Sequence, residues 1–288
     1  MLRPTVEKAE AAWHALVTAE REQVERLPNR PRPEDFYGLV ADGFRADPRR
    51  TDEPLLDELL KLTDPDETWI DLGAGGGRYA LPVALHTRAV YAVEPSEGMR
   101  RALAESAAEH GIANIEVFDE RWPCKSRVPV ADVCFIGHVG YDIADIGPFV
   151  DGMEAHARRL CVAVLFQPAP LSEWAALWRA VHGEERIQLP ALAELVTLLY
   201  ARGRTPEVGM LSVPPRVYES QGRLQASARR PLWVLEGSPE DARLAQAVQE
   251  LAVEGQSGVV LNAGPRRLGI VTWEPRQVSR GSGGDARV

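Results

Sequence analysis

Asp71 stands two residues before Gly73, and Gly75, Gly76 and Gly77 follow, with Ala74 inside the turn they form. A carboxylate beside a backbone without Cβ atoms suits the capture of a small polar ligand, because glycine turns sharply and lets the chain come within contact distance. A second acid, Glu94, closes the apolar run from Ala89 to Val93. It lies about 20 residues beyond the glycines, at the end of what reads as the next strand, where a carboxylate accepts hydrogen bonds from ribose hydroxyls. Together the two anchors point to a nucleoside. The dinucleotide fingerprint Gly-x-Gly-x-x-Gly fails at its last glycine, which counts from Gly73 to Arg78. A Walker phosphate loop is excluded because no Gly-Lys-Ser/Thr follows.

Asp-x-Gly-x-Gly-x-Gly from Asp71 to Gly77, then strand, acid and amphipathic helix, resembles the first motif of the class I S-adenosylmethionine-dependent methyltransferases. The resemblance implies S-adenosylmethionine as the cofactor. It implies that Asp71 and the backbone of Gly73, Ala74, Gly75 and Gly77 hold the methionine end, whose amino group suits a carboxylate. Glu94, followed by Pro95, would hold the ribose. Asp119, with Glu120 in reserve, would take the adenine amino group, and Trp122 is read either as a wall for the adenine or as a core plug. The end of the fourth strand would face the methyl group, which makes His138 and Tyr141 the catalytic candidates, with Asp142 beside them. An imidazole titrates near pH 6.5 and is available as a base at neutral pH. His138 could equally bond the donor or fix the next loop.

The elements that must position these residues follow from apolar periodicity. Trp69, Ile70 and Leu72 read as a buried first strand, Ala89 to Val93 as the second, Asn114 to Phe118 as the third, Ala131 to Gly137 as the fourth and Leu160 to Phe166 as the fifth. The nearly unbroken apolar fourth run suits a strand covered on both faces. Helices are expected over Arg78 to Leu85, from the N-cap Ser96 through Met99, Leu103 and Ala107 to Gly111, and over Ile146 to Arg159. Strand and helix alternate, and right-handed crossovers then make the sheet parallel. Val208 to Val213 is a sixth strand, and Gly258 to Leu261 and Leu268 to Trp273 read as a hairpin across the turn Asn262 to Pro265.

The fold expected from the resemblance is α/β, a Rossmann-like seven-stranded mixed sheet, parallel with one antiparallel strand. A helical N-terminal cap would span residues 1–66, with stripes through Trp13 and Val24, through Phe36, Tyr37 and Phe44, and over Leu55 to Leu62. In such enzymes these helices cover the donor, so Phe36, Tyr37 and Arg45 are candidates to touch it. The methyltransferase domain would span 67–275, with helical insertions at 170–205, which carries Trp174 and Trp178, and at 215–255, where a helix runs from Pro239 to Val253. These would roof the acceptor site. From 276 to 288 no apolar pattern survives, which predicts a frayed tail.

The chain has 288 residues, 45% of them hydrophobic, enough for a sizeable core. A net charge of -9 argues against a general nucleic-acid surface and, with apolar inserted helices, favours a small-molecule acceptor. The absence of Asn-Pro-Pro-Tyr or Asp-Pro-Pro-Tyr after the fourth strand argues against methylation of an exocyclic base nitrogen. Three scattered cysteines make neither a disulfide framework nor a zinc site, so no metal is expected. Pro123-Cys124 resembles the dipeptide of pyrimidine C5-methyltransferases but precedes the fourth strand, whereas those enzymes carry their nucleophile after it. No apolar stretch approaches the roughly 18 residues of a membrane span and the chain does not open on a signal peptide, so the expected location is cytoplasmic. An NAD(P)-dependent oxidoreductase and a methyltransferase-like domain without turnover are the rival readings.

Overall fold

The computed structural model describes residues 4–28, 43, 45–124, 128–255, 257–262 and 264–276. Five strands follow the apolar runs: β1 (Thr68–Leu72), β2 (Ala89–Val93), β3 (Ile115–Phe118), β4 (Ala131–Gly137) and β5 (Ala157–Gln167), joined by β6 (Glu207–Val213) and β9 (Arg266–Trp273) in one sheet. Its order is β3-β2-β1-β4-β5-β9-β6. All neighbours are parallel except around β9, which runs antiparallel to both β5 and β6, so one strand of the seven is reversed.

Alternation along each strand sends successive side chains to opposite faces, and both faces are covered. On one face Ile70, Cys134, Ile136, Cys161 and Leu165 meet α5 (Ile146–His156) and α7 (Leu192–Ala201). On the other, Trp69, Val90, Ala92, Phe135 and Val164 meet α2 (Pro54–Leu60), α3 (Ala80–Ala84) and α4 (Glu97–Glu109). Cys134 and Cys161 sit opposite each other in neighbouring strands, fully buried. A third cluster lies beside the sheet, where α6 (Ala175–His182), α8 (Gln221–Arg229) and α9 (Pro239–Leu251) enclose Trp178, Leu224 and Leu244 together with Val24.

The N-terminal helices divide between the two faces. The helix α1 (Val6–Glu25) lies against α5 and α7, and Trp13 donates its indole N–H to the Ile143 carbonyl at 2.9 Å. The leucines of α2 belong to the opposite face. The helix expected over Glu34 to Ala46, with Phe36 and Tyr37, lies outside the described residues apart from its last positions, and so does the tail from 277. Arg45 pairs with Glu105 and Glu109 in the closing turns of α4. That helix starts beside the glycine turn and runs back along the sheet, so this contact is remote from the expected donor site.

Three boundaries and one pairing differ from the sequence reading. The helix α5 ends at His156 and β5 begins at Ala157, where exposed Arg158 and Arg159 disguise strand as helix end. The helix α3 shrinks to five residues around Pro82, whose ring cannot donate to the preceding turn. The helix α9 stops at Leu251. The expected hairpin does not form: β8 (Gly258–Val260) pairs with β7 (Val253–Gly255) in a separate two-stranded sheet, and β9 inserts between β5 and β6. A longer excursion wins because β9 buries Leu268, Val271 and Trp273 in the main sheet. No helix among the described residues is long and apolar enough to cross a membrane.

Candidate functional site

From β1 the chain steps to β2 and β3 on one side, then returns to β4 on the other, so the carboxyl ends of β1 and β4 border the point where strand order reverses. Loops diverge there and leave a crevice, the usual ligand position in an open α/β sheet. Asp71 occupies the penultimate position of β1, flanked in register by Ala92 and Phe135, and is buried. Burial, reinforced by the nearby Glu94 charge, pushes its carboxyl up to about 8. No cation among the described residues is shown paired with it.

Beyond β1 the backbone turns through positive φ at Gly73 (+74°) and Gly77 (+85°), conformations costly to any residue with a Cβ. A Cβ on Gly73 would come within 2.6 Å of the Val139 side chain, which carries the loop after β4 across the turn. Gly73 donates its N–H to the Val93 carbonyl at 2.7 Å, tying the turn to the end of β2. Glu94 then accepts from Gly75 N–H at 2.9 Å and from Ser96 N–H at 2.8 Å. Those two bonds fix the carboxylate over the turn, and Ser96 caps α4 as its sequence implies. Pro95 beside it is exposed.

Asp119 follows β3 on the same edge, largely exposed, and pairs with Arg100 of α4 at 2.7 Å. Glu120 adjoins it. Trp122 is a core plug, buried with its indole N–H on the Phe149 carbonyl and its ring edge-on to His156. Tyr141 is buried, and its hydroxyl oxygen accepts the Phe166 N–H at 2.7 Å, so it braces the end of β5. Burial raises its hydroxyl pKa.

His138 is held at φ +61° just past β4 and stacks on Phe166, ring centroids 4.8 Å apart. A chain of polar groups that the sequence did not announce stands behind it. Glu53, just before α2, accepts from Arg50 and Arg78 at 2.7 Å each and from the Tyr79 hydroxyl at 3.1 Å. The single Tyr79 proton is committed to that carboxylate, which is acceptor-only. Tyr79 oxygen can therefore only accept from the His138 Nε2, 3.5 Å away, and this tautomer leaves Nδ1 with a bare lone pair. Nδ1 is buried without a partner. Burial, with the Arg78 cation next in weight, lowers the imidazole to about 4, so it is neutral at pH 7. Arg78, which breaks the dinucleotide fingerprint, thus serves as an electrostatic anchor, and only its place after the glycines signals it. Among the described residues no group of His, Cys, Asp and Glu is placed to hold a metal.

No family model matches the chain. An uncharacterized protein of Haemophilus influenzae is 28% identical over 166 residues, 57% of this chain and 60% of that protein, so the match spans less than two thirds of the relative. Among solved structures, the YcgJ protein of Bacillus subtilis superimposes with a TM-score of 0.55 at 13% identity, over 77% of this chain and 98% of its own. A Bacillus halodurans protein provisionally assigned as a methyltransferase does so with a TM-score of 0.55 at 12% identity, over 77% and 99%. At these identities the fold is what is shared, and it is the fold of the class I S-adenosylmethionine-dependent methyltransferases.

Proposed function

We propose that the chain transfers the methyl group of S-adenosylmethionine to a small-molecule acceptor. The observation that carries this reading is the convergence of Asp71, the Gly73–Gly77 turn and Glu94 at the strand-order switch, with Glu94 fixed by Gly75 N–H. The residues fit the donor. A buried carboxylate with no paired cation suits the amino group of the methionine end, and the positive-φ turn leaves backbone where Cβ atoms would stand. Glu94 accepts the Gly75 and Ser96 N–H groups on different oxygens at the end of β2, where a carboxylate suits ribose hydroxyls. Asp119, exposed beside the end of β3, takes the adenine side.

Bound there, the donor supplies an electrophilic methyl on a sulfonium. The chain's own contribution is chiefly to hold the acceptor in line and exclude water, worth up to about 7 to 11 kcal/mol. His138 keeps an unpartnered Nδ1 lone pair buried past the end of β4, and with its pKa near 4 it is a weak base. Its part is to orient an acceptor O–H or N–H and to take a proton that is already acidic. Tyr141 acts by bracing Phe166, against which His138 stacks.

Calorimetric titration with S-adenosylmethionine, S-adenosylhomocysteine and NAD in parallel tests the reading. Saturable binding of both sulfur nucleosides and none of NAD is expected, with the affinity lost in Asp71→Asn. Binding of NAD alone would overturn it in favour of an oxidoreductase. Donor binding without turnover on any acceptor would leave a nucleoside-binding domain.

A further inference from the structure

Where the ends of α1 and α6 meet the link from α8 to α9 and the first turn of α9, a cavity of about 500 Å³ remains beside the third core. Pockets that hold small molecules run from roughly 300 to 1,000 Å³, and roughly 150 Å³ seats one benzene ring. The space is therefore ample for a fused bicyclic ring with a substituent. Neither Asp71, the glycine turn, Glu94 nor His138 lines it.

Trp233 forms part of its wall, and the backbone there is held at φ +57°. Leu232 N–H bonds the Ala228 carbonyl, Trp233 N–H that of Arg230 and Val234 N–H that of Arg229, a helix ending whose left-handed residue is ordinarily glycine. A bulky residue is costly in that conformation, so the strain is tolerated for the ring. Trp233 packs partly on the third core and stays only half-buried at the cavity.

Leu27, Pro28, Val181 and Leu235 continue the apolar wall. Two arginines and two glutamates also border it, and they offset one another. Arg26 stands 3.5 Å from Glu184, while Arg243 pairs with Glu240 at 2.7 Å and gives its Nε–H to the Val181 carbonyl at 2.8 Å. His182 donates Nε2–H to the Leu232 carbonyl, which can only accept, and burial holds its imidazole below the ordinary value, so it is neutral at pH 7. Among the described residues the lining presents no uncompensated charge. A charged occupant would give up water without gaining a counter-ion.

We propose that this cavity is a second ligand site, which takes an uncharged aromatic compound with the Trp233 ring as its stacking wall. The claim does not depend on the methyl-transfer reading.

The probes are uncharged 5-fluoroindole, cationic 5-fluorotryptamine and anionic 5-fluoroindole-3-acetate, followed by fluorine NMR on the full chain. Saturable binding of 5-fluoroindole is expected, with both charged analogues weaker. Trp233→Gly gives the helix end its preferred residue, which offsets lost packing, and should weaken 5-fluoroindole at least about tenfold while a cooperative melting transition is retained. Leu235→Asp, at a position 43% exposed, removes apolar wall with little burial to lose and should weaken it about fivefold. If the glycine variant fails to fold, Leu235→Asp decides. S-adenosylhomocysteine should leave the bound fluorine signal in place. No saturable binding of 5-fluoroindole, equal or tighter binding of either charged analogue, or indifference to these substitutions in folded protein overturns the proposal. Displacement of the ring by S-adenosylhomocysteine overturns it too, because the cavity would then belong to the donor crevice.

Discussion

Asp71 is the residue on which the donor reading is most exposed to test. With its carboxyl near 8, it carries a proton at pH 7 in the empty protein. Capture of an ammonium favours the carboxylate, so donor binding should expel up to about one proton and tighten from pH 6 to pH 8. Calorimetry at pH 7 in two buffers of different ionisation enthalpy reads that proton directly, and equal heats would contradict the role. The same shift has a cost in stability. A carboxyl raised from 3.8 to about 8 favours the folded state below pH 4 and progressively less as pH climbs towards 8. Asp71→Asn should therefore gain on the wild type by on the order of a few kcal/mol at pH 8, seen in urea midpoints, while losing the donor. His138 behaves in the opposite sense. Its pKa is depressed from 6.5 to about 4, so stability is lost as pH falls through that window. His138→Asn keeps a residue that tolerates positive φ and should flatten the acid limb by up to about 3 kcal/mol, measured as melting temperature against pH. The acids of the site were legible because their spacing from a glycine turn is a local pattern. Glu53 and Tyr79 were not, because the contact joining them spans 26 residues of sequence and obeys no periodicity.

At the scale of elements, β1 and β4 were readable because burial on both faces writes a nearly continuous apolar run, as in Val133 to Ile136, and the edge strand β3 because Ile115 and Val117 alternate with polar neighbours. The start of β5 was not, since Arg158 and Arg159 reach out to Asp132 and Glu67 and leave no apolar mark. Nor did local sequence show the placement of β9, decided by tertiary pairing with β5 and β6. One polar tie holds that arrangement from within. Glu154 of α5 accepts from Arg204 at 2.7 and 2.6 Å and from the Trp273 indole N–H at 3.1 Å, joining a helix, the approach to β6 and the end of β9. Glu154→Ala leaves a guanidinium and an indole donor without their acceptor and should cost about 3 kcal/mol, read as a fall in urea midpoint with unchanged slope. A loss under 1 kcal/mol would show that water replaces the carboxylate.

For the whole molecule, the sheet serves two cores while the third stands apart, built by α6, α8 and α9 with only Val24 reaching in from α1. Its tie to α1 runs through Arg186, buried over Trp178 and paired with Glu20 at 2.6 Å. Few strands cross between these units, so native-state hydrogen exchange should show amides of α8 and α9 opening at lower free energy than those of β1, β4 and β5. Uniform protection across both would mean a single cooperative unit. The facing thiols of Cys134 and Cys161 lie in the most protected part, where burial raises both and a reagent that attacks thiolates cannot reach them. They are a built-in clock for opening of the central sheet. Any compound that binds the native chain shrinks the open population by the factor 1 + [L]/Kd, and slows alkylation in proportion when reclosing is fast. Mass-detected alkylation in the presence of a compound library would thus rank ligands of either cavity or crevice without an assay for the reaction they undergo.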